Sequence, residues 1–242
     1  MVDTLRVGFL CDSLDMQRWQ SECIRRVLAV PGVEPVLVVT RPPVAPVKLP
    51  LLKRVLNHPW RIGLYMWYRR KRFHPVSYVR EDMRPVFAHV PHIQCVPMAD
   101  GTGQRFEHDD LAAIAAYRPD VLLRFGFGIL KGDILSLPRY GVWSYHHGDE
   151  EKYRGQPPVF WEMYEGGTVV GALLQRLTER LDAGFILQKG WFPVTRGSLS
   201  ATLDSVLLGS AGWAAQVCYD LLNGRSDAAV GVESTTTAPI RK

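Results

Sequence analysis

The chain has 242 residues, enough for one domain of ordinary size, and its 47% hydrophobic and 22% charged residues exclude disordered and fibrous classes. The four cysteines, Cys11, Cys23, Cys95 and Cys218, are too widely spaced for a zinc knuckle or a disulfide framework; with no basic-then-apolar leader and no uncharged run long enough to span a bilayer, a cytoplasmic location with reduced thiols is expected. The net charge of +5 is concentrated, because residues 53–80 carry +8 and no acid, which leaves −3 for the rest.

In chain order, residues 5–11 read as a buried strand. Asp12, Ser13 and Asp15 then offer N-caps for a helix over 16–29, in which Ile24, Val27 and Leu28 recur at helical spacing. Pro31-Gly32 ends it, and Val36–Thr40 is a second strand, so the opening is a parallel α/β unit. Residues 41–92 break this rhythm with Pro42, Pro43, Pro46 and Pro50 and then turn basic and aromatic, which reads as an insertion rather than core. Ile93–Pro97 resumes as a strand, followed by a helix over 109–116, a strand over 120–125, a short helix over 133–137 and a strand over 141–146. A helix over 159–165, two strands over 169–177 and 185–194, and one long helix over 200–222 begun by Ser198 or Ser200 complete the pattern, with a polar, extended tail from Asn223. The expected architecture is a Rossmann-like α/β domain over 1–195, with a mostly parallel sheet flanked by helices. The C-terminal helix and tail, 196–242, would pack on it, and the apolar face of that helix could also serve a homodimer.

The most informative stretch is Gly141–Pro158, where a strand ends in polar residues and runs into a Gly/Pro-rich loop. Ligands in open α/β sheets sit beyond the carboxyl ends of strands. His146 is therefore placed where an imidazole can face a cleft. Asp182, in Leu181-Asp182-Ala183-Gly184, lies in a later loop, and an imidazole with a carboxylate is the usual pair for general-base chemistry. His146-His147-x-Asp149 can also be read as a metal cluster, but adjacent residues on a strand point to opposite faces, so no metal is assigned. Gly126-Phe127-Gly128 lacks the third glycine and acidic partner of a dinucleotide fingerprint.

Taken together, Ser144-x-His146, Tyr153-Arg154-Gly155, Pro157 with Trp161, Leu181-Asp182-Ala183-Gly184 and Gly126–Leu130 resemble, in order, the signature of the folate-dependent formyltransferases, which include glycinamide ribonucleotide, methionyl-tRNA and sugar N-formyltransferases. The resemblance covers roughly 118–190, extends in part to the opening α/β unit and fails over 41–92. It implies a formyl group moved from N10-formyltetrahydrofolate to the amine of a small molecule, such as an amino sugar or a specialised metabolite. By the same resemblance His146 and Asp182 would be catalytic and Ser144 would polarise the formyl oxygen. Phe127, Gly128, Ile129, Leu130, Thr178, Glu179, Arg180 and Leu181 would contact the folate. His147, Asp149, Tyr153, Arg154 and Gly155 would meet the acceptor. The chain ends without the extra C-terminal domain of methionyl-tRNA formyltransferases, so a tRNA acceptor is not expected.

Two departures stand out. Ser144 occupies the family's asparagine position, and loss of one oxyanion donor costs about 2.7–4 kcal/mol of transition-state stabilisation. His147-Gly148-Asp149-Glu150-Glu151 replaces an apolar loop, and acids there suit a cationic or polyhydroxylated acceptor. These departures keep two alternatives open: a binding or partner subunit without transfer activity, and a formyl or amide hydrolase on the same fold. The segment Trp60–Phe73 mixes basic and aromatic residues. Its plainest reading is an amphipathic helix whose aromatics cover the sheet. An anionic ligand (a nucleotide-linked sugar or the polyglutamate tail of folate) or a protein partner is the alternative, ahead of nucleic acid or a membrane surface.

Overall fold

The computed structural model describes residues 4–43, 71–155, 157–180, 184–236 and 240–241, with the backbone alone at 154–155 and 240–241. Asp182, Leu181 and most of the basic-aromatic segment lie outside the described residues. The elements are β1 (Leu5–Cys11), β2 (Asp15–Gln17), α1 (Arg18–Leu28), β3 (Val33–Thr40), β4 (Arg80–Asp82), β5 (His92–Gln94), β6 (Met98–Asp100), β7 (Gly103–Arg105), α2 (His108–Ala115), β8 (Val121–Arg124), β9 (Leu130–Lys131), β10 (Val142–His146), β11 (Arg154–Gly155), α3 (Phe160–Tyr164), β12 (Val169–Arg176), β13 (Phe185–Pro193), α4 (Leu199–Ser210), α5 (Trp213–Leu222), β14 (Val232–Glu233) and β15 (Ile240–Arg241).

Eight strands form the central sheet in the order β14-β13-β12-β10-β8-β1-β3-β5. From β10 to β5 the pairs are parallel, and β12, β13 and β14 are added antiparallel. The parallel strands are apolar on both faces because helices cover both. Val7, Phe9, Leu123 and Trp143 pack with Ile24 and Val27 of α1 and Val217 and Leu221 of α5. Their neighbours Leu10, Leu122 and Val142 pack on the other face with Ile114 of α2 and Phe106. Each fully buried side chain of this kind contributes roughly 1.5–3 kcal/mol. Leu203, Val206 and Leu207 of α4 close a third cluster over Val170 and Ala172 of β12.

The structure departs from the expected pattern in three places. The first helix starts at Arg18, not 16, because Asp15-Met16-Gln17 is drawn into antiparallel pairing with Arg80–Asp82. The Gln17 backbone N–H then donates to Gln20 Oε1 at 3.0 Å. Within the described part of 41–92, Met83 and Phe87 are buried in the core, and Phe87 packs on Phe9 at 5.3 Å between ring centroids. The backbone N–H groups of Val76 and Ser77 donate to Asp204 of α4 at 2.9 and 2.8 Å, which ties this segment to the C-terminal helices. The C-terminal helix is present and capped by Ser198, whose Oγ accepts from Ala201 N at 3.1 Å, but it is divided at Ala211-Gly212. The Tyr145 hydroxyl sits at the division, accepting from Ala214 N at 3.1 Å and lying 3.4 Å from the Ala211 carbonyl. It answers two backbone groups that the break releases.

Candidate active site

The neighbouring parallel strands β8 and β10 end side by side, with Arg124 opposite Ser144. Ser144 is 3% exposed, and its Oγ accepts from Arg124 Nη1 at 2.8 Å. The other terminal nitrogen of Arg124 donates to the Gly128 carbonyl, so the guanidinium spans from β10 to the loop after β8. Arg124, Ser144, Tyr145 and His147 join Gln17 and Trp19 of the β2–α1 corner in lining a cavity of about 200 Å³. No carboxylate is among its described lining residues.

Two residues beyond Ser144, His146 Nε2 lies 3.2 Å from the Tyr153 carbonyl. A carbonyl can only accept, so Nε2 carries the hydrogen and Nδ1 is the basic nitrogen. The Tyr-Arg-Gly segment thus orients the imidazole through its backbone, while the Tyr153 hydroxyl donates to Glu165 at 2.7 Å. The ring faces Gly148, where an added Cβ would come within 3.2 Å of His146 Nε2 and 3.5 Å of Glu162 Oε1. Glu162 of α3 is buried, and burial pushes its carboxyl above the ordinary range, with backbone N–H groups and His146 opposing the rise. Glu162 went unnoticed in the sequence because a helix of five residues is too short to show which face it buries.

His147 has a different environment. Its ring meets Trp19 edge-on at 5.0 Å, stacks on Tyr145 at 5.8 Å and lies 3.4 Å from Ser210 Oγ. Burial, with a smaller contribution from His146, pushes its pKa down to about 3, so it is a neutral wall of the cavity at physiological pH. The two adjacent imidazoles have separate neighbours, and among the described residues no cluster of His, Cys, Asp and Glu is arranged to hold a metal. Burial also raises all four thiols, Cys23 and Cys95 to about 12, which leaves no thiolate nucleophile at neutral pH.

The acidic loop requires a correction. Asp149 and Glu150, read as acids facing an acceptor, are 3% and 2% exposed. Lys189 of β13 reaches them, with Nζ 2.9 Å from Glu150, 3.6 Å from Glu151 and 3.8 Å from Asp149. Burial opposes the charge on Lys189, but the hydrogen bond to Glu150 and the three carboxylates outweigh it and hold the ammonium above its ordinary pKa.

The loop after β8 is shaped by Asp12, whose Oδ1 accepts from Phe127 N and Arg41 Nε, both at 2.9 Å. A Cβ at Gly126 would lie 2.4 Å from the Asp12 backbone nitrogen, so only glycine permits this approach. Phe127 is a second correction. Expected against a folate, Phe127 is 0% exposed, its ring packs on Phe106 at 5.3 Å between centroids, and its backbone N–H is taken by Asp12. Leu130 is buried as well, whereas Gly128 is exposed and Ile129 half-buried. Of the residues in the loop after β12, Thr178 is half-buried, Glu179 accepts from Gly132 N at 2.7 Å and Arg180 pairs with Glu233 at 3.6 Å. Arg154 and Gly155 form β11, paired in parallel with β15.

The fold is the Rossmann-like fold of solved formyltransferases. The solved phosphoribosylglycinamide formyltransferase of Bacillus halodurans superimposes with a TM-score of 0.57 at 13% identity, over 92% of this chain and 97% of that one. A sugar N-formyltransferase of a Shewanella species gives 0.53 at 13% identity, over 98% and 76%. No family model matches. Among curated proteins, the methionyl-tRNA formyltransferase of Geobacillus sp. (strain WCH70) is 27% identical over 160 residues, 66% of this chain and 49% of that protein. That of Nitrosomonas europaea is 30% identical over 138 residues, 55% and 43%. The chain is similar in sequence to methionyl-tRNA formyltransferases, and it spans about half the length of the curated relatives it matches.

Proposed function

We propose that the protein transfers a formyl group from N10-formyltetrahydrofolate to the amine of a small molecule, an amino sugar or a specialised metabolite. The observation that supports this reading is that Ser144 lines the cavity at the end of a central strand, and that His146, two residues on along the same strand, has its Nε2 held 3.2 Å from the Tyr153 carbonyl, although His146 is not itself among the cavity's described lining residues. The lining of that cavity, with a guanidinium, a hydroxyl, a neutral imidazole and no described carboxylate, fits an electron-rich carbonyl and an anionic folate. The bound folate would supply the formyl carbon, whose bond to N10 is exchanged for a bond to the acceptor nitrogen while the acceptor's proton passes to N10.

In this reading the chain's own residues have separate tasks. Ser144 donates to the formyl oxygen as negative charge gathers there. His146 Nδ1 accepts the proton that the acceptor amine sheds as it attacks the formyl carbon and passes it on to N10 as that nitrogen leaves, and Asp182, carried over from the motif, stabilises the transient imidazolium. The backbone of Gly128 and Ile129 offers the polar edge for the pterin, with Thr178, Glu179 and Arg180 at its border. The test is a panel of small-molecule amines incubated with the protein and formyl-folate, read by mass spectrometry. Addition of one CO to an acceptor supports the proposal. Release of free formate with no acylated amine identifies water as the acceptor and overturns it in favour of hydrolysis.

A further inference from the structure

We propose that Arg124 is a positioning residue that turns the Ser144 hydroxyl toward the formyl oxygen. This inference rests on the formyl-transfer reading above and adds to it a group that the motifs do not mark. A serine hydroxyl has one hydrogen to donate and two lone pairs, and a guanidinium has donors only. In the 2.8 Å contact between Arg124 Nη1 and Ser144 Oγ the hydroxyl therefore accepts. Its hydrogen must point elsewhere. The other contact shown for Oγ is the Tyr145 carbonyl at 3.4 Å, well beyond the 2.7–2.8 Å typical of O–H···O bonds. A carbonyl oxygen entering the cavity at ordinary distance captures that hydrogen at little cost.

Three features make the arrangement specific. The planar fork of Arg124 bridges Ser144 and the Gly128 carbonyl, so its direction is fixed by two elements rather than one. A guanidinium keeps its charge throughout the working pH range, so the hydroxyl is aimed independently of pH. The bond is charge-assisted, which polarises the O–H and strengthens the donation to a developing oxyanion. An asparagine at 144 would carry two donors of its own and need no such director. The serine at 144 and the arginine at 124 are in this sense one device.

The test uses 10-formyl-5,8-dideazafolate, a stable formyl donor, labelled with carbon-13 in the formyl group. Isotope-edited infrared spectra of the probe bound to the full chain report the carbonyl directly, with no acceptor present. We expect the wild-type protein to shift the carbonyl stretch to lower wavenumber than in solution. Arg124→Met and Ser144→Ala should each abolish the shift, and Arg124→Lys, which keeps charge and stem but loses the fork, should retain part of it. In turnover, Arg124→Met should lower kcat about 10- to 100-fold with KM for the donor within about twofold, less than the 10²–10³ for outright loss of a donor. The double variant should be no slower than Ser144→Ala alone. A shift in wild type that survives in Arg124→Met and Arg124→Lys, or losses that multiply in the double variant, would overturn the role of Arg124 and leave the transferase reading standing. Failure of the wild-type protein to bind the probe at all would overturn both.

Discussion

The loops that follow β8 and β10 lie next to each other at the carboxyl edge of the sheet, yet they use charge in opposite ways. The loop after β10 holds Asp149, Glu150 and Glu151, and these acids are occupied by Lys189 of β13, two of them out of contact with solvent. The loop after β8 is cradled by Asp12 and carries the guanidinium of Arg124 to the wall of a cavity. A conspicuous run of acids is thus engaged by an internal lysine, and a single cation at a strand end lines the cavity. Charge density in a sequence does not report charge available to a partner, because burial forces acids to find internal counterions.

The sharpest way to break this contrast lies at the strand end itself. His146→Ala and Asp182→Ala are each expected to lower turnover by about 10²–10⁴-fold, the range for a lost general acid–base group, without changing the thermal melt. Full activity in either would remove that residue from the proposed chemistry. On the acidic side the expected loss is in stability. Lys189→Met should cost about 2–4 kcal/mol in urea unfolding, somewhat below the 3–5 kcal/mol for a broken buried pair because the Lys189 side chain is 23% exposed. A cost near zero would mean that the acids are solvated after all.

His147 gives a pH-dependent comparison. Its folded pKa of about 3 lies below the ordinary 6.5, so between these values the unfolded chain binds a proton that the folded chain refuses. Stability from this residue is complete above about pH 6.5 and falls as the pH drops toward 3, and His147→Gln should flatten the decline in urea midpoint between about pH 7.5 and pH 5. The smallest effect is expected at Glu162. Its raised pKa means that ionisation opposes folding, so the penalty is absent at acid pH and grows as the pH rises through the folded value. Glu162→Gln keeps an acceptor for Asp149 N and should stabilise the protein slightly at about pH 8 and not at about pH 4.

Much of the fold was legible from periodicity. The apolar runs at 5–11, 36–40, 120–125 and 141–146 became the parallel strands β1, β3, β8 and β10, because burial on both faces demands continuous apolar sequence. The place of His146 followed from the same rule, since a polar residue after such a run marks its carboxyl end. What stayed hidden depends on contacts far apart in sequence. Lys189 lies 39 residues from Glu150, and nothing local joins them. Met83 and Phe87 lie in a stretch without strand or helix periodicity, yet they fill the core beside Phe9. Arg124 had a faint signal, a charge closing an otherwise apolar strand, but it reads equally as the point where a strand meets water. The division at Ala211-Gly212 left no mark because its cause is a tyrosine from another element.

That tyrosine has a mechanical consequence. Burial holds the Tyr145 phenol well above its ordinary pKa, so it stays neutral and keeps its proton for the Ala211 carbonyl while taking one from Ala214. It stands between Ser144 and His146 in the chain, and the joint of α4 and α5 is therefore clamped to the strand that bears both. Displacing that joint by straightening it, or by severing the chain near residue 211, would tug on β10 from behind, so the last two helices serve as its anchor as well as its cover.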